Sequence, residues 1–341
     1  MRIGINPEKE NKNLTIENYH RIIIPVYIPH FEGYFEEAFE IFKLCLQSLL
    51  KTVHTKTRIT IYNNNCHPAV KDFIDAEFER SIYIDQVFHS KENLGKINAI
   101  LAGSKGNLEP LITITDADVL FEQGWQAAVE DVFVHFPEAG MVGPVPNSRA
   151  LTNFTSSTWF YGMFNGKLRF QKVLDPEAMH KFDVSLGNKE LIYKSVHLEK
   201  YLVLNNKKKS GEAVVGCGHF VATIKRDVFD KGTNEPAFIK IVGGVESKFI
   251  DAPNDNLGYL RLATRKNYAF HMGNKKEQWM SDLFSNLTEE TSNGIDINEI
   301  KDRKIGFFSR KIGLFILRLA YNKKTRPFIL KRLGLPNPLN Y

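Results

Sequence analysis

Three cysteines in 341 residues are too few and too scattered to build a framework. Cys45, Cys66 and Cys217 form no CxxC pair, which excludes a zinc ribbon and a disulfide scaffold and fits a reducing compartment. Long apolar runs are missing as well. No stretch holds the ~18 uncharged apolar residues of a membrane span. The polar start, MRIGINPEKENKNL, lacks the apolar core of a secretory signal, so a cytosolic protein is expected. There is no internal repeat and no low-complexity linker. Acid is almost absent from the last stretch. Residues 301–341 hold eleven Lys and Arg against Asp302 alone, a balance of +10. The whole chain is +6, so the remaining 300 residues carry −4. A nucleic-acid binder usually spreads its charge over the fold that reads the polymer. This body is mildly acidic, and no nucleic-acid motif is present.

What is there can fold. Hydrophobic residues make up 43% and aromatics 12%, enough for a large core. The length allows two ordinary domains, or one large α/β domain with an appendage. After a polar arm (1–19), RIIIPVYIP (21–29) reads as a buried strand stopped by proline. A helix period covers 35–53, a strand 58–64, a helix 68–78, a strand 84–90 and a helix 93–106. LITIT (111–115) is uninterrupted and apolar, as a strand covered on both faces should be. A helix at 124–136 and a strand at 139–147 follow. Strands alternating with helices predict a doubly wound, mostly parallel α/β sheet of the Rossmann-like kind. Residues 148–210, with a lysine run at 207–209, give no clear reading. Beyond them, 213–229 reads as a strand, a glycine turn and a second apolar stretch. An amphipathic helix is expected over 256–267 and a short strand over 268–273.

The most informative segment is TITDADVLF (113–121). Ligands of open α/β sheets bind at the carboxyl ends of strands. Asp116 and Asp118 follow such an end two residues apart, which in extended chain puts both carboxylates on one side. Mg²⁺ or Mn²⁺ bridging a diphosphate needs hard oxygen ligands and few of them. A strand-ending turn would use the same residues.

Five segments in order resemble the family 2 glycosyltransferases of the GT-A fold, of the bacterial polysaccharide or lipid-linked glycan type. They are IIIPVY in the first strand, ENLGKINAI (92–100), TDADVLF, GCGHFVATIKRDVF (216–229) and DNLGYLRLATRKNYAFHMG (255–273). The resemblance covers about 20–275. It implies a glycosyltransferase domain over 20–280, with a nucleotide-binding half (20–147), an acceptor-side half (148–280) and a basic tail (281–341). It implies that Pro25, Tyr27, Asn63 and Asn64 hold the base, and that Asn93 and Lys96 line the nucleotide side. Asp116 would meet ribose or metal, and Asp118 and His271 would complete the metal site. Gly218 and His219 would lie on the acceptor side. The family inverts the anomeric centre in one in-line step with a carboxylate base, here Asp255, with Glu246 and Asp251 as rivals. The donor would be a nucleotide sugar, UDP-linked by preference, and the acceptor a glycan or lipid-linked molecule.

Two departures stand out. The acidic pair at the base position reads Asn254-Asp255, and Asn63-Asn64-Asn65 replaces the acid that reads the base. A catalytically degenerate binding or scaffold subunit is therefore an alternative. A sugar nucleotidyltransferase is another, although IPVYIPHFEGY has no Gly-rich phosphate loop. In the tail, Ile305, Phe308, Ile312, Phe315/Ile316 and Leu319 fall on one face of a helix over 305–321, with cations largely opposite. Such a helix can lie in a membrane interface, which would place the protein peripherally on the inner face. Packing onto the domain is the other reading. Pro327 is expected to break the helix, with a second short one over 328–335.

Overall fold

A computed structural model describes residues 3–338 and Tyr341, apart from 7, 8, 10–13, 189, 190, 208, 234 and 241–244. Parts of the polar arm, Lys208 of the lysine run and Gly243-Gly244 before Glu246 therefore lie outside the described residues.

In chain order the elements are β1 (His20–Val26), α1 (Ala38–Thr52), β2 (Thr57–Asn64), α2 (Pro68–Arg80), β3 (Ile84–Ser90), α3 (Lys96–Lys105), β4 (Leu111–Thr115), β5 (Val119–Phe121), α4 (Trp125–His135) and β6 (Ala139–Gly143). There follow α5 (Ser156–Phe164), β7 (Gly166–Lys172), α6 (Pro176–Ser185), α7 (Ser195–Glu199), β8 (Lys200–Asn206), β9 (Glu212–Val215), β10 (Val221–Lys225), α8 (Arg226–Asp230), α9 (Ala252–Asn256), β11 (Leu260–Ala263) and β12 (Ala269–His271). Three helices close the chain: α10 (Gln278–Ser285), α11 (Phe307–Tyr321) and α12 (Arg326–Arg332).

Ten strands form one sheet in the order β3-β2-β1-β4-β10-β6-β11-β9-β8-β7. All but β7, β9 and β10 run in one direction. Alternate residues of β1 and β4 feed two cores. Ile22 and Ile24 pack on one face with Phe42, Leu46 and Phe133. Ile23, Ile112 and Ile114 pack on the other with Ile97 and Ile100. That is why these strands read as unbroken apolar runs. The result is the doubly wound, mostly parallel α/β architecture expected from the sequence.

Two local expectations fail. Residues 256–267 are not a helix. The helix ends at Asn256, and Leu260–Ala263 is a fully buried strand inserted between β6 and β9. The LxxLxLA spacing fits a helix face, but here both sides of the segment are covered, so its periodicity carries no direction. Pro327 does not break a helix either. α11 ends at Tyr321, and Pro327 sits in the first turn of α12, where its missing N–H costs nothing. The unclear stretch 148–210 adds the antiparallel β7–β8 edge and three helices.

The tail is laid against the domain. Gly313, Leu317 and Ala320 of α11 are buried. A Cβ on Gly313 would come within 2.1 Å of the Ser156 oxygen and 2.9 Å of the Phe160 Cβ, so only glycine admits α5 this closely.

Candidate active site

β4 delivers Asp116 to the carboxyl edge of the sheet, where its N–H donates to the Phe220 oxygen at 2.8 Å. β5 then pairs antiparallel with β12, Val119 opposite His271, and Met272 N–H donates to the Asp118 oxygen at 2.8 Å. This ribbon brings together residues far apart in sequence. His271 Nε2 stands 3.4 Å from Asp118 Oδ2, while its Nδ1 is engaged by Ser185 Oγ at 2.8 Å. Asp118 Oδ1 is buried and has no hydrogen-bond partner. Burial pushes the Asp118 carboxyl above its usual pKa, partly offset by His271.

Beside it, Lys96 Nζ lies 2.5 Å from Asp116 Oδ1 and 3.6 Å from Glu246 Oε1. Burial alone would lower the Lys96 pKa. Asp116 and Glu246 reverse that and hold the ammonium above its usual value.

Lys96, Asp116 and Glu246 stand between two chambers. The first, of about 370 Å³, is walled by Pro25, Tyr27, Asn64, Asn93 and Asp118. The second, of about 690 Å³, is bordered by Gly218, His219, Arg261 and His271 and by residues of the tail. Asn64 accepts from Leu94 N–H and donates to Asn93 Oδ1 at 2.9 Å, locking the β2 and β3 loops together. Gly95 follows at φ +84 with the Lys240 oxygen 2.8 Å from where a Cβ would stand, so the loop closes only with glycine. Asn63 is turned elsewhere. It bonds His89 Nδ1 at 2.9 Å and Cys66 N–H at 2.9 Å, and it does not border the chamber.

The three carboxylates weighed as bases separate clearly. Asp255, first among them on sequence, borders neither chamber. It is buried and caps α5: Ser156 Oγ donates to one carboxylate oxygen at 2.5 Å and Ser157 N–H to the other at 3.0 Å. Asp251 is buried between Arg261 Nη1 at 3.2 Å and His219 Nδ1 at 3.5 Å. Burial works to raise its pKa, but His219 and Arg261 outweigh it and hold the group below the usual range. Of the three, Glu246 alone faces both chambers, and it precedes the π-helical turn Ser247–Asp251 that leads into α9. Such turns recur at functional sites. Arg261 was not foreseen. It is buried and donates to the Cys217 oxygen at 2.6 Å and the Asn153 oxygen at 3.0 Å, clamping the second chamber's floor. Its signal, a lone Arg within LGYLRLA, was masked by the helix reading of that stretch.

The donor set around Asp118 fits a divalent cation. An unpartnered buried carboxylate oxygen, an imidazole nitrogen and a second carboxylate suit Mn²⁺ and admit Mg²⁺. Among the described residues, the group whose ligand atoms all lie within 4.8 Å of one another is His20, His54 and Glu130, rather than Asp116, Asp118 and His271. It lies at the other end of the sheet. His20 pairs with Leu111, so five residues of β4 and its turn, roughly 16 Å of strand, separate it from Asp116. Its atoms are already bonded to one another and to Tyr19, Thr113 and Gln126.

The sequence matches no protein-family model and no curated protein. Among solved structures it is similar to a mannosyltransferase from Pyrobaculum calidifontis in complex with GDP-Man and Mn²⁺, at 15% identity and a TM-score of 0.40 over 73% of this chain and 55% of that one. It is similar to GalNAc-T7 with UDP, GalNAc and Mn²⁺, at 14% identity and a TM-score of 0.43 over 76% and 44%. It is similar to S. aureus TarS in complex with UDP-GlcNAc, at 10% identity and a TM-score of 0.45 over 77% and 60%. The chain thus spans about half the length of the first two. At these values the assignment rests on the chain's own residues.

Proposed function

We propose that the protein is an inverting, metal-assisted glycosyltransferase of the family 2, GT-A kind, taking a nucleotide-sugar donor, UDP-linked by preference. The observation that carries this reading is the junction of the two chambers. Asp116, Asp118, His271, Lys96 and Glu246 meet at one strand end between a narrow pocket and a wider one. In this reading the first chamber holds the nucleotide: Pro25 and Tyr27 border the base, and Asn64 and Asn93 offer amides that donate and accept. Asn63 supports that wall from behind. The second chamber holds the acceptor, with Gly218 and His219 on its side.

Glu246 is the base. Its carboxylate takes the proton from an acceptor hydroxyl as that oxygen bonds the anomeric carbon. The bond from that carbon to the diphosphate breaks, and the nucleoside diphosphate leaves with the electron pair. Lys96, beside Asp116, holds positive charge where the leaving phosphate develops negative charge. Asp118 and His271, with Asp116, would hold a Mn²⁺ or Mg²⁺ ion, which would supply Lewis-acid neutralisation of that diphosphate. Asp251 and Arg261 orient His219 and the chamber floor.

The outer face of α11 favours a peripheral membrane location on the cytoplasmic side, with a glycan or lipid-linked acceptor. Phe308 and Phe315 are exposed, and Lys311 and Arg318 flank them. The decisive test is calorimetric titration of UDP with and without Mn²⁺. The metal should tighten UDP binding at least tenfold, and Asp118→Asn should abolish that gain. UDP affinity that ignores the metal in the wild-type protein would sink the metal assignment.

A further inference from the structure

The wider chamber has an uneven charge. Its carboxylates, Asp116 and Glu246, are at the inner end beside Lys96. Its outer end is walled by Arg149, Lys323 and Arg326. Arg149 and Lys323 pair with no carboxylate among the described residues. Arg149 donates from Nη1 to the Ile192 oxygen at 2.8 Å, and Arg326 donates from Nη2 to the Tyr341 oxygen at 2.7 Å. Each guanidinium is thereby held by one main-chain acceptor and keeps other N–H groups free. Tyr341 is itself anchored, its hydroxyl donating to the Ser148 oxygen at 2.7 Å and its ring edge-on to His197 at 4.6 Å. Arg149 and Arg326 are therefore held on two separate segments that line the same chamber.

A second observation reports the field they create. Burial and then Arg149, Lys194 and Arg326 push the His197 imidazole down to about 4. Burial is the larger cause, and the three cations add to it, so Arg149 and Arg326 both stand close enough to His197 to act on it. Neutral glycans give no reason to collect such charge, and leaving it unpaired costs the fold solvation and repulsion. Anionic oxygens in bidentate reach of two guanidinium groups would offset both.

We propose that the acceptor chamber takes a phosphate-bearing acceptor, with the phosphate held at its outer end by Arg149, Lys323 and Arg326 and the reacting hydroxyl directed inward to Glu246. This rests on the glycosyl-transfer reading for the word acceptor; the anion site itself does not. Two of the three cations come from the tail after α11, so the basic segment contributes to the pocket as well as to the surface. The phosphate belongs either to a soluble phosphorylated glycan or to a lipid headgroup.

The test uses the full chain in metal-free buffer, with a fluorophore-tagged hexose 1-phosphate and its neutral hexose counterpart as probes. The phosphorylated probe should bind at least about tenfold tighter, a difference of about 1.4 kcal/mol. That margin should fall as salt rises and disappear in Arg149→Gln/Lys323→Gln, whose side chains are exposed. Displacement of the probe by phosphatidylglycerol vesicles, but not by phosphatidylcholine vesicles, assigns the phosphate to a lipid headgroup. Failure of both to displace it assigns the phosphate to a soluble glycan. Equal binding of the two probes, or a margin unchanged in the double variant, overturns the proposal. UDP titration with Mn²⁺ on the same proteins separates the two readings. UDP binding without probe discrimination leaves the transferase reading and removes the anion site. Probe discrimination without UDP binding does the reverse.

Discussion

Asp255 and Glu246 are both acids in one short loop region, and only their surroundings tell them apart. Asp255 has both oxygens tied to the first turn of α5, where a carboxylate also complements the helix dipole. Glu246 is held only by long ion pairs to Lys96 and His219 and borders both chambers. Glu246→Gln should therefore cut transfer by roughly 10²–10⁴-fold with UDP affinity preserved. Asp255→Ala should instead cost about 1–3 kcal/mol of stability, seen in thermal melts, by orphaning buried Ser156 and Ser157. Full turnover in Glu246→Gln would return the role to another carboxylate. Asp116, Asp118 and His271 were picked from the sequence, and the structure brings Asp118 and His271 together. The different surroundings of Asp255 and Glu246 were not readable there. Whether an acid faces a cleft or caps a helix a hundred residues away is decided by packing, and no local pattern encodes it. Asn63 and Asn64 make the same point: adjacent residues of β2 point oppositely, and only Asn64 borders the chamber.

Strands and helices with one clear period were read almost to the residue: β3 and β4 coincide with the expected spans. The segment at β11 was lost because it is buried on both sides. α11 was found, but its character is double. Gly313, Leu317 and Ala320 face α5, while Phe308, Ile312 and Phe315 look outward. The helix is thus packed and still offers an apolar stripe edged with Lys311 and Arg318. Removing the tail would uncover the core, so a surface variant is the cleaner probe. Phe308→Ser/Phe315→Ser should reduce cosedimentation with phosphatidylglycerol vesicles several-fold, with an unchanged melting temperature. Near-surface cations contribute about 1 kcal/mol each, so binding should also weaken with salt. Equal cosedimentation of wild type and variant would leave the stripe without a membrane role.

At the scale of the molecule, the polar plug at the amino end of the sheet sets the acid limit. His20 is fully buried, and burial lowers its pKa despite Glu130 nearby. The folded state therefore binds fewer protons than the unfolded one below about 6.5, the usual histidine value. Stability should fall as pH drops through that value. Burial tends to raise Glu130, but bonds from His20 and His54 dominate and bring it to about 2. Its contribution is present above the ordinary glutamate pKa and is lost as pH falls from about 4.5 toward 2. Urea midpoints measured from pH 7 to 4 should decline throughout, and His20→Gln should flatten the upper part of that decline. A flat profile in the wild-type protein would show that the plug is not coupled to folding.

The ribbon of β5 and β12 gives the proposed metal site a history as well as a shape. Asp116 and Asp118 emerge early in the chain, and His271 arrives about 150 residues later on the strand that pairs with β5. During synthesis the carboxylates must wait, unpaired, for a partner not yet made. On the proposed metal reading, tight Mn²⁺ capture would signal that both halves of the fold have met, and a chain stalled in between would have two of the three ligands but no grip on a cation.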